Sequence, residues 1–291
     1  MEKNIKNILI TDELVKNKRK ELEIDISKIL SGDENQVLDF FSNYIYWNGI
    51  FAGLVTNLSS KFHLGLDFFD YEKNSIERGF FQSVGHKVAG LIFAAAEDEY
   101  ADESSKEDIR IEHKTMAWFM MNKMYQFYGR DISERTIDDL MSSITSVTKR
   151  GYGLNQDSDF LSLVRYLGFH IGSEKIASYE FGIIASKMKE LHPDLTNWMK
   201  NQELINGINA FSWIEVHGPV EDAHANYALD AAQMIIDHVG NKNLEFQQKV
   251  IDELENGFNL FSNLQDSFFK EYIFLKNYKK GFLYNEKFLN K

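Results

Sequence analysis

The sequence contains no cysteine. That one absence removes disulfides, thiolate nucleophiles, zinc–thiolate centres and iron–sulfur clusters together, so any metal must be held by His, Asp or Glu. Proline is almost missing too, with only Pro193 and Pro219 in 291 residues, and a chain so poor in breakers favours long helices. No stretch approaches 18 uninterrupted apolar residues, so no membrane-spanning helix is expected. The first residues, MEKNIKNILITDE, lack the apolar centre of a secretory signal, which makes a cytoplasmic protein the expectation. No run of Lys or Arg is long enough to follow a phosphate backbone, and the formal net charge is −12. Nucleic acid is therefore excluded as an expected partner.

What is present points to helices. Hydrophobic residues make up 44% of the chain and aromatic residues 14%, enough to fill one large interior. Apolar positions recur every three or four residues over 33–62 (Val37, Phe40, Phe41, Tyr44, Ile45) and over 71–100 (Val84, Val88, Leu91, Ile92, Ala95). Ser104-Ser105 followed by Glu107-Asp108 predicts a capped helix running to Tyr128, with Gly129 as its stop. Ser133 predicts a further helix to about Val147, and KRGYGLNQDS reads as a loop. Helices are then predicted over 159–191, ended by His192-Pro193, and over 194–213, 215–239 and 243–278. Strand-like alternation is scarce, and the sequence shows no internal repeat and no flexible interdomain linker. The fold class expected is all-α, with residues 1–291 forming a single helical domain.

The segment that carries chemistry is IEVHGPVEDAHANYALDAAQ. His217, Glu221 and His224 are spaced four and then three apart, so on a helix their side chains stack on one face. Imidazole with carboxylate suits iron, manganese or zinc. A lone His on an amphipathic helix is usually structural. Three ligand-type residues at this spacing, followed by the small Ala223, Ala225 and Ala228, make a metal site an even match for that bland reading. Pro219 lies between His217 and Glu221 and either kinks the helix or marks its start.

One helix cannot complete a two-metal site. A second segment joins an acidic cluster (Glu97, Asp98, Glu99, Asp102, Glu103) to a following helix with His113, although a solvated charge run would read the same way. A third carries Glu180 among Ile176, Ala177, Phe181, Ile183 and Ile184. A carboxylate on so apolar a face must be paired, protonated or metal-bound.

Taken in order, DEYADE, then His113 before an aromatic-rich helix, then Glu180, then HGPVEDAH resemble the heme-oxygenase-like diiron oxidases and oxygenases. The resemblance covers about residues 75–240. It implies a heme-oxygenase-like helical bundle whose metal ligands are Glu99, His113, Glu180, His217, Glu221 and His224. It also implies two irons per chain, cycling between Fe(II) and Fe(III), with O2 as co-substrate. Ala101 stands where the family has Gly, the interval from Glu99 to His113 is long, and Glu221 replaces the more usual Asp. Glu103 therefore stays open as an alternative first carboxylate. The activity implied is oxidation of a small metabolite, amino-acid-derived by preference, through N-oxygenation or oxidative bond cleavage. A small-molecule substrate and a second copy of the chain in a homodimer are the partners expected.

Phe80, Phe81, Trp118, Phe119 and Trp213 are each either pocket lining or ordinary core, and Tyr100, Tyr179 and Tyr227 lie near the ligands in sequence. Two other readings compete. A ferritin-like carboxylate protein would use Glu-x-x-His twice, and the chain has it once, at Glu221 and His224. A metal-free helical binding protein of the same fold is the other; a thiaminase-like enzyme would need the missing Cys.

Overall fold

The structure is a computed structural model that describes residues 4–65, 75–100, 111–156, 159–205 and 207–277. Among these residues there are twelve α-helices, one 3-10 turn and one short hairpin. The helices are α1 (Ile5–Leu9), α2 (Asp12–Leu30), α3 (Glu34–Asn48), α4 (Phe51–His63), α5 (Ser75–Ser83), α6 (Gly85–Tyr100), α7 (His113–Phe127), α8 (Leu140–Gly151), α9 (Phe160–Leu191), α10 (Pro193–Lys200), α11 (Ser212–Gly240) and α12 (Leu244–Asn277). The all-α fold class read from the sequence is the one observed. No described helix is long and apolar enough to cross a membrane.

The punctuation residues act as their chemistry dictates. Asp33 and Asp159 cap α3 and α9, each carboxylate accepting from a backbone N–H of the first turn. Gly129 ends α7 at φ +69°, a left-handed conformation that costs glycine least. Its N–H reaches the Gln126 carbonyl and that of Arg130 reaches Tyr125, the paired bonds of a Schellman motif. His192 ends α9, donates a ring N–H to the Leu30 carbonyl at 2.6 Å, and hands over to Pro193 as first residue of α10.

Several boundaries differ from expectation. The helix expected from Ser133 starts only at Leu140 and runs to Gly151, while Ile132–Glu134 is a 3-10 turn. The periodic run 33–62 is two helices, divided at Gly49-Ile50, and the run 71–100 is likewise divided at Val84. Apolar periodicity persists through such breaks because both halves face the same core. The expected helix 194–213 stops at Lys200, and an antiparallel hairpin, Glu203–Ile205 with Ile208–Asn209, fills the remainder. The Ser104-Ser105 cap, Asp102 and Glu103 lie outside the described residues.

The two longest helices, α9 and α12, run against each other, and α11 packs against α9, α12 and α6. Glycines set the α9–α12 spacing. A Cβ at Gly257 would lie 1.9 Å from the Arg165 carbonyl oxygen, and one at Gly168 would lie 2.1 Å from that of Leu254, so the two backbones touch where side chains normally intervene. Aromatic rings fill the rest of the interior: Trp47 meets Phe268 at 4.8 Å and donates its indole N–H to Thr148 at 2.8 Å. This leaves α6, α7, α9 and α11 surrounding one polar interior.

Candidate metal centre

Helix α11 is unbroken from Ser212 to Gly240. It runs through Pro219 rather than starting there. His217, Glu221 and His224 are all buried along it, each no more than 4% exposed. The i, i+4, i+7 stack expected from the sequence is therefore formed, and it points inward.

Two groups of acid and imidazole side chains assemble around this stack. In the first, Glu99, His113 and His217 bring ligand atoms within 4.8 Å of one another. Glu99 comes from the last turn of α6 and His113 is the first residue of α7. The Nδ1 of His113 is 3.2 Å from Glu99 Oε2, the Nε2 of His217 is 3.8 Å from Glu99 Oε1, and the two rings are 4.4 Å apart between centroids. In the second group, Glu174 of α9 joins Glu221 and His224, again within 4.8 Å. The Nδ1 of His224 is 3.4 Å from Glu174 Oε2 and 3.5 Å from Glu221 Oε2. Glu221 touches both groups, since its Oε1 is 3.9 Å from His217 Nε2.

Electrostatics follow from this crowding. Burial pushes the Glu221 carboxyl well above its ordinary range, and the adjacent charge of Glu174 pushes it further. Burial also raises Glu174, but the His170 charge and hydrogen bonds from Glu221, His170 and His224 outweigh it and hold that carboxyl well down. One carboxylate of the pair is thus ionised and the other protonated, the usual outcome for like charges forced together. Burial alone would lower His224, yet hydrogen bonds to Glu174 and Glu221 raise it to about 11. The imidazolium therefore supplies the positive charge between two buried acids. For Glu99, burial raises the carboxyl, while the hydrogen bond and charge of His113 bring it below its ordinary value. His217 is driven down to about 3, first by burial and then by the charge of His113. It is neutral, and its Nδ1–H donates to the Trp213 carbonyl at 2.6 Å. That bond leaves the Nε2 lone pair turned toward Glu99 and Glu221, as a metal ligand requires.

Five of the six expected ligands are brought together: Glu99, His113, His217, Glu221 and His224. The sixth, Glu180, is not. Its carboxylate accepts a hydrogen bond from Gln265 of α12, beside Tyr44 of α3, and Glu174 occupies the place expected for it. Sequence reasoning missed Glu174 and His170, and it placed Asp98 in an acidic cluster without a role. His170 and Glu174 stand four apart in FHIGSEK, in a stretch of α9 buried without interruption over 167–174, and that i, i+4 pair was the available signal. His170 Nδ1 is 3.1 Å from Glu174 Oε1 and 3.1 Å from the Tyr152 hydroxyl. Asp98 Oδ2 is 3.6 Å from His224 Nε2, on the side of the ring away from Glu174 and Glu221.

A cavity of about 290 Å³ adjoins the two groups and is lined by Glu99, His113, Glu174, His217 and Glu221 among others. Trp213 lines it as well. The other aromatic candidates lie elsewhere. Phe80 and Phe81 are buried against Phe160, Trp118 is exposed under the Arg135 guanidinium, and Phe119 is half-buried. Tyr100 stands at the cavity wall, Tyr179 lies beneath the Lys175 ammonium, and Tyr227 is exposed.

No protein-family model and no curated protein matches the chain. A solved structure does. The crystal structure of a CADD-like protein of unknown function from Nostoc punctiforme PCC 73102 matches with a TM-score of 0.53, covering 94% of this chain and 100% of that one at 11% identity. The chain shares that protein's fold. At this identity the likeness carries the architecture and not the chemistry.

The donor set fits a pair of cations. Three carboxylates and three imidazoles from four helices converge in a buried volume, and a proton on His224 holds together what a cation would hold more firmly.

Proposed function

We propose that this chain is a non-heme diiron oxidase or oxygenase that activates dioxygen to oxidise a small molecule held in the adjoining cavity. The observation that carries the reading is the meeting of two mixed Glu/His triads at Glu221, on the wall of a cavity. The likeness to the CADD-like protein supports it at the level of architecture. Glu99, His113 and His217 would hold one iron; Glu174, Glu221 and His224 would hold the other, with Glu221 placed to reach both. When bound, such a pair supplies reducing electrons to dioxygen, chemistry that no side chain of this protein provides.

The protein's own contribution is orientation and charge. The Trp213 carbonyl fixes the tautomer and ring angle of His217, and Phe181 stacks on that ring at 4.3 Å. His170 holds one oxygen of Glu174 so that the other faces His224. A cation held there would displace the protons that Glu221 and His224 carry, so metal uptake would release protons and weaken as pH falls.

Anaerobic titration with ferrous ion tests the reading. It predicts about two ions bound per chain, followed by oxygen consumption on exposure to air. A folded protein that takes up no iron and consumes no oxygen would remove it in favour of a metal-free binding protein.

A further inference from the structure

Glu180 is buried at 4% exposure and lines the cavity, yet it belongs to neither ligand group. Among the described residues, each carboxylate of the two ligand groups has an imidazole beside it: Glu99 has His113, Glu174 has His170 and His224, and Glu221 has His224. Glu180 has only neutral neighbours, the Gln265 amide and the Tyr44 hydroxyl, and neither of those lines the cavity. The nearest positive charge felt there, Lys18, is itself engaged with Asp266 and with the Ser262 carbonyl. No cation contacts Glu180 among the described residues.

A buried carboxylate without a counter-charge is costly unless it stays protonated or a ligand supplies the charge. Burial raises this carboxyl to about 7, so it is poised between the two forms near neutral pH. Around it the cavity wall is aromatic, with Trp47, Phe51, Phe181, Trp213 and Phe261, rings whose faces favour cations. The one lysine on the cavity wall, Lys114, is exposed and sits beside Glu112 at the start of α7.

We propose that Glu180 is the recognition group for the cationic end of the substrate, and that the cavity takes a small primary ammonium compound with an apolar body. This deepens the reading of the cavity as a substrate site and rests on it. Glu180 lies six residues beyond Glu174 on α9, about 9 Å along the helix axis. An ammonium held there directs the remote, apolar end of the molecule toward the ligand groups.

The test compares three probes of similar size: 2-phenylethylamine, its neutral counterpart 2-phenylethanol, and the anion phenylacetate. Binding is read by calorimetry in metal-free protein and again with zinc, which is redox-silent and neutralises the ligand carboxylates. The amine should bind at least tenfold more tightly than the alcohol in both states, and the anion more weakly than either. Glu180→Gln should erase the preference for amine while leaving alcohol binding unchanged. Equal affinity for amine and alcohol, no amine binding, or a preference that survives in Glu180→Gln each overturns the proposal. If Glu180→Gln does not fold, as judged by circular dichroism, the wild-type series alone decides. Neither iron nor oxygen enters these measurements. Absence of amine selectivity in the parent protein, with normal iron uptake, therefore defeats the recognition role alone, and failure of iron uptake defeats the oxidase reading.

Discussion

The Nδ1 atom of His170 lies 3.1 Å from Oε1 of Glu174, one turn further along the same helix. The imidazole is buried, and the Tyr152 hydroxyl, 3.1 Å from the same nitrogen, joins it to Ser173 at 2.6 Å. A carboxylate held at one oxygen from behind can present only the other, and Oε2 faces His224. The orientation of Glu174 thus comes from its own helix and its cation-facing geometry from α11. Such outer partners set the position and basicity of a ligand.

Glu174→Ala should therefore lower ferrous binding from about two ions per chain to about one, whereas Glu180→Ala should keep both. Anaerobic titration of the two variants side by side reads this directly. If Glu180→Ala loses an ion and Glu174→Ala does not, the grouping of Glu174 with Glu221 and His224 is not the working metal site.

Asp98 gives a subtler outcome. Its Oδ2 lies 3.6 Å from the His224 Nε2, the nitrogen that faces away from Glu174 and Glu221. Asp98→Asn keeps the shape and removes the charge that favours a donating Nε2–H. Metal affinity at the second group should fall roughly 10- to 100-fold, the usual range for such partners, with far-ultraviolet circular dichroism unchanged. Competition with a chelator of known affinity measures it; unaltered affinity would mean that Asp98 does not orient the ring.

Glu180 makes stability depend on pH. Its folded pKa of about 7 lies above the ordinary glutamate value of 4.5, so the folded chain holds this proton more tightly than the unfolded chain does. The stability gained from the neutral form is fully present below the unfolded value and is lost as pH rises through the folded one. Glu180→Gln is neutral throughout. Relative to the parent protein it should gain stability by up to about 3 kcal/mol as pH rises from 4.5 to 8, since a tenfold change in proton affinity is worth about 1.4 kcal/mol. Denaturant midpoints at pH 5 and pH 8 for both proteins check the sign, and parallel behaviour would show that burial does not perturb this acid.

Helix contact predicts a contrast between two glycines. Gly257→Ala places a methyl group 1.9 Å from the Arg165 carbonyl oxygen and 2.7 Å from the Phe169 nitrogen, neither of which can turn aside. It should destabilise by about 1–3 kcal/mol or more by forcing α9 and α12 apart. Gly182→Ala meets nothing within 4 Å and should stabilise by about 0.5–1 kcal/mol through helix propensity. Thermal unfolding of both variants settles the order.

Much of this molecule is legible in its sequence. Scarce proline, three-to-four-residue periodicity, the Gly129 stop and the His192-Pro193 break are local signals, and local signals need no partner helix to act. The stack of His217, Glu221 and His224 is equally local, because a helix of 3.6 residues per turn puts those positions on one face whatever surrounds it. The choice between Glu174 and Glu180 is of another kind. Six residues apart, they point about 120° from each other around α9. Apolar neighbours mark Glu180 as inside, Glu174 stands between Ser173 and Lys175 without that mark, and neither pattern says what each acid meets. Glu174 faces α11 and its imidazole, while Glu180 faces the Gln265 amide of α12. Only the packing of three helices decides which acid joins the ligands and which is left without a counter-charge.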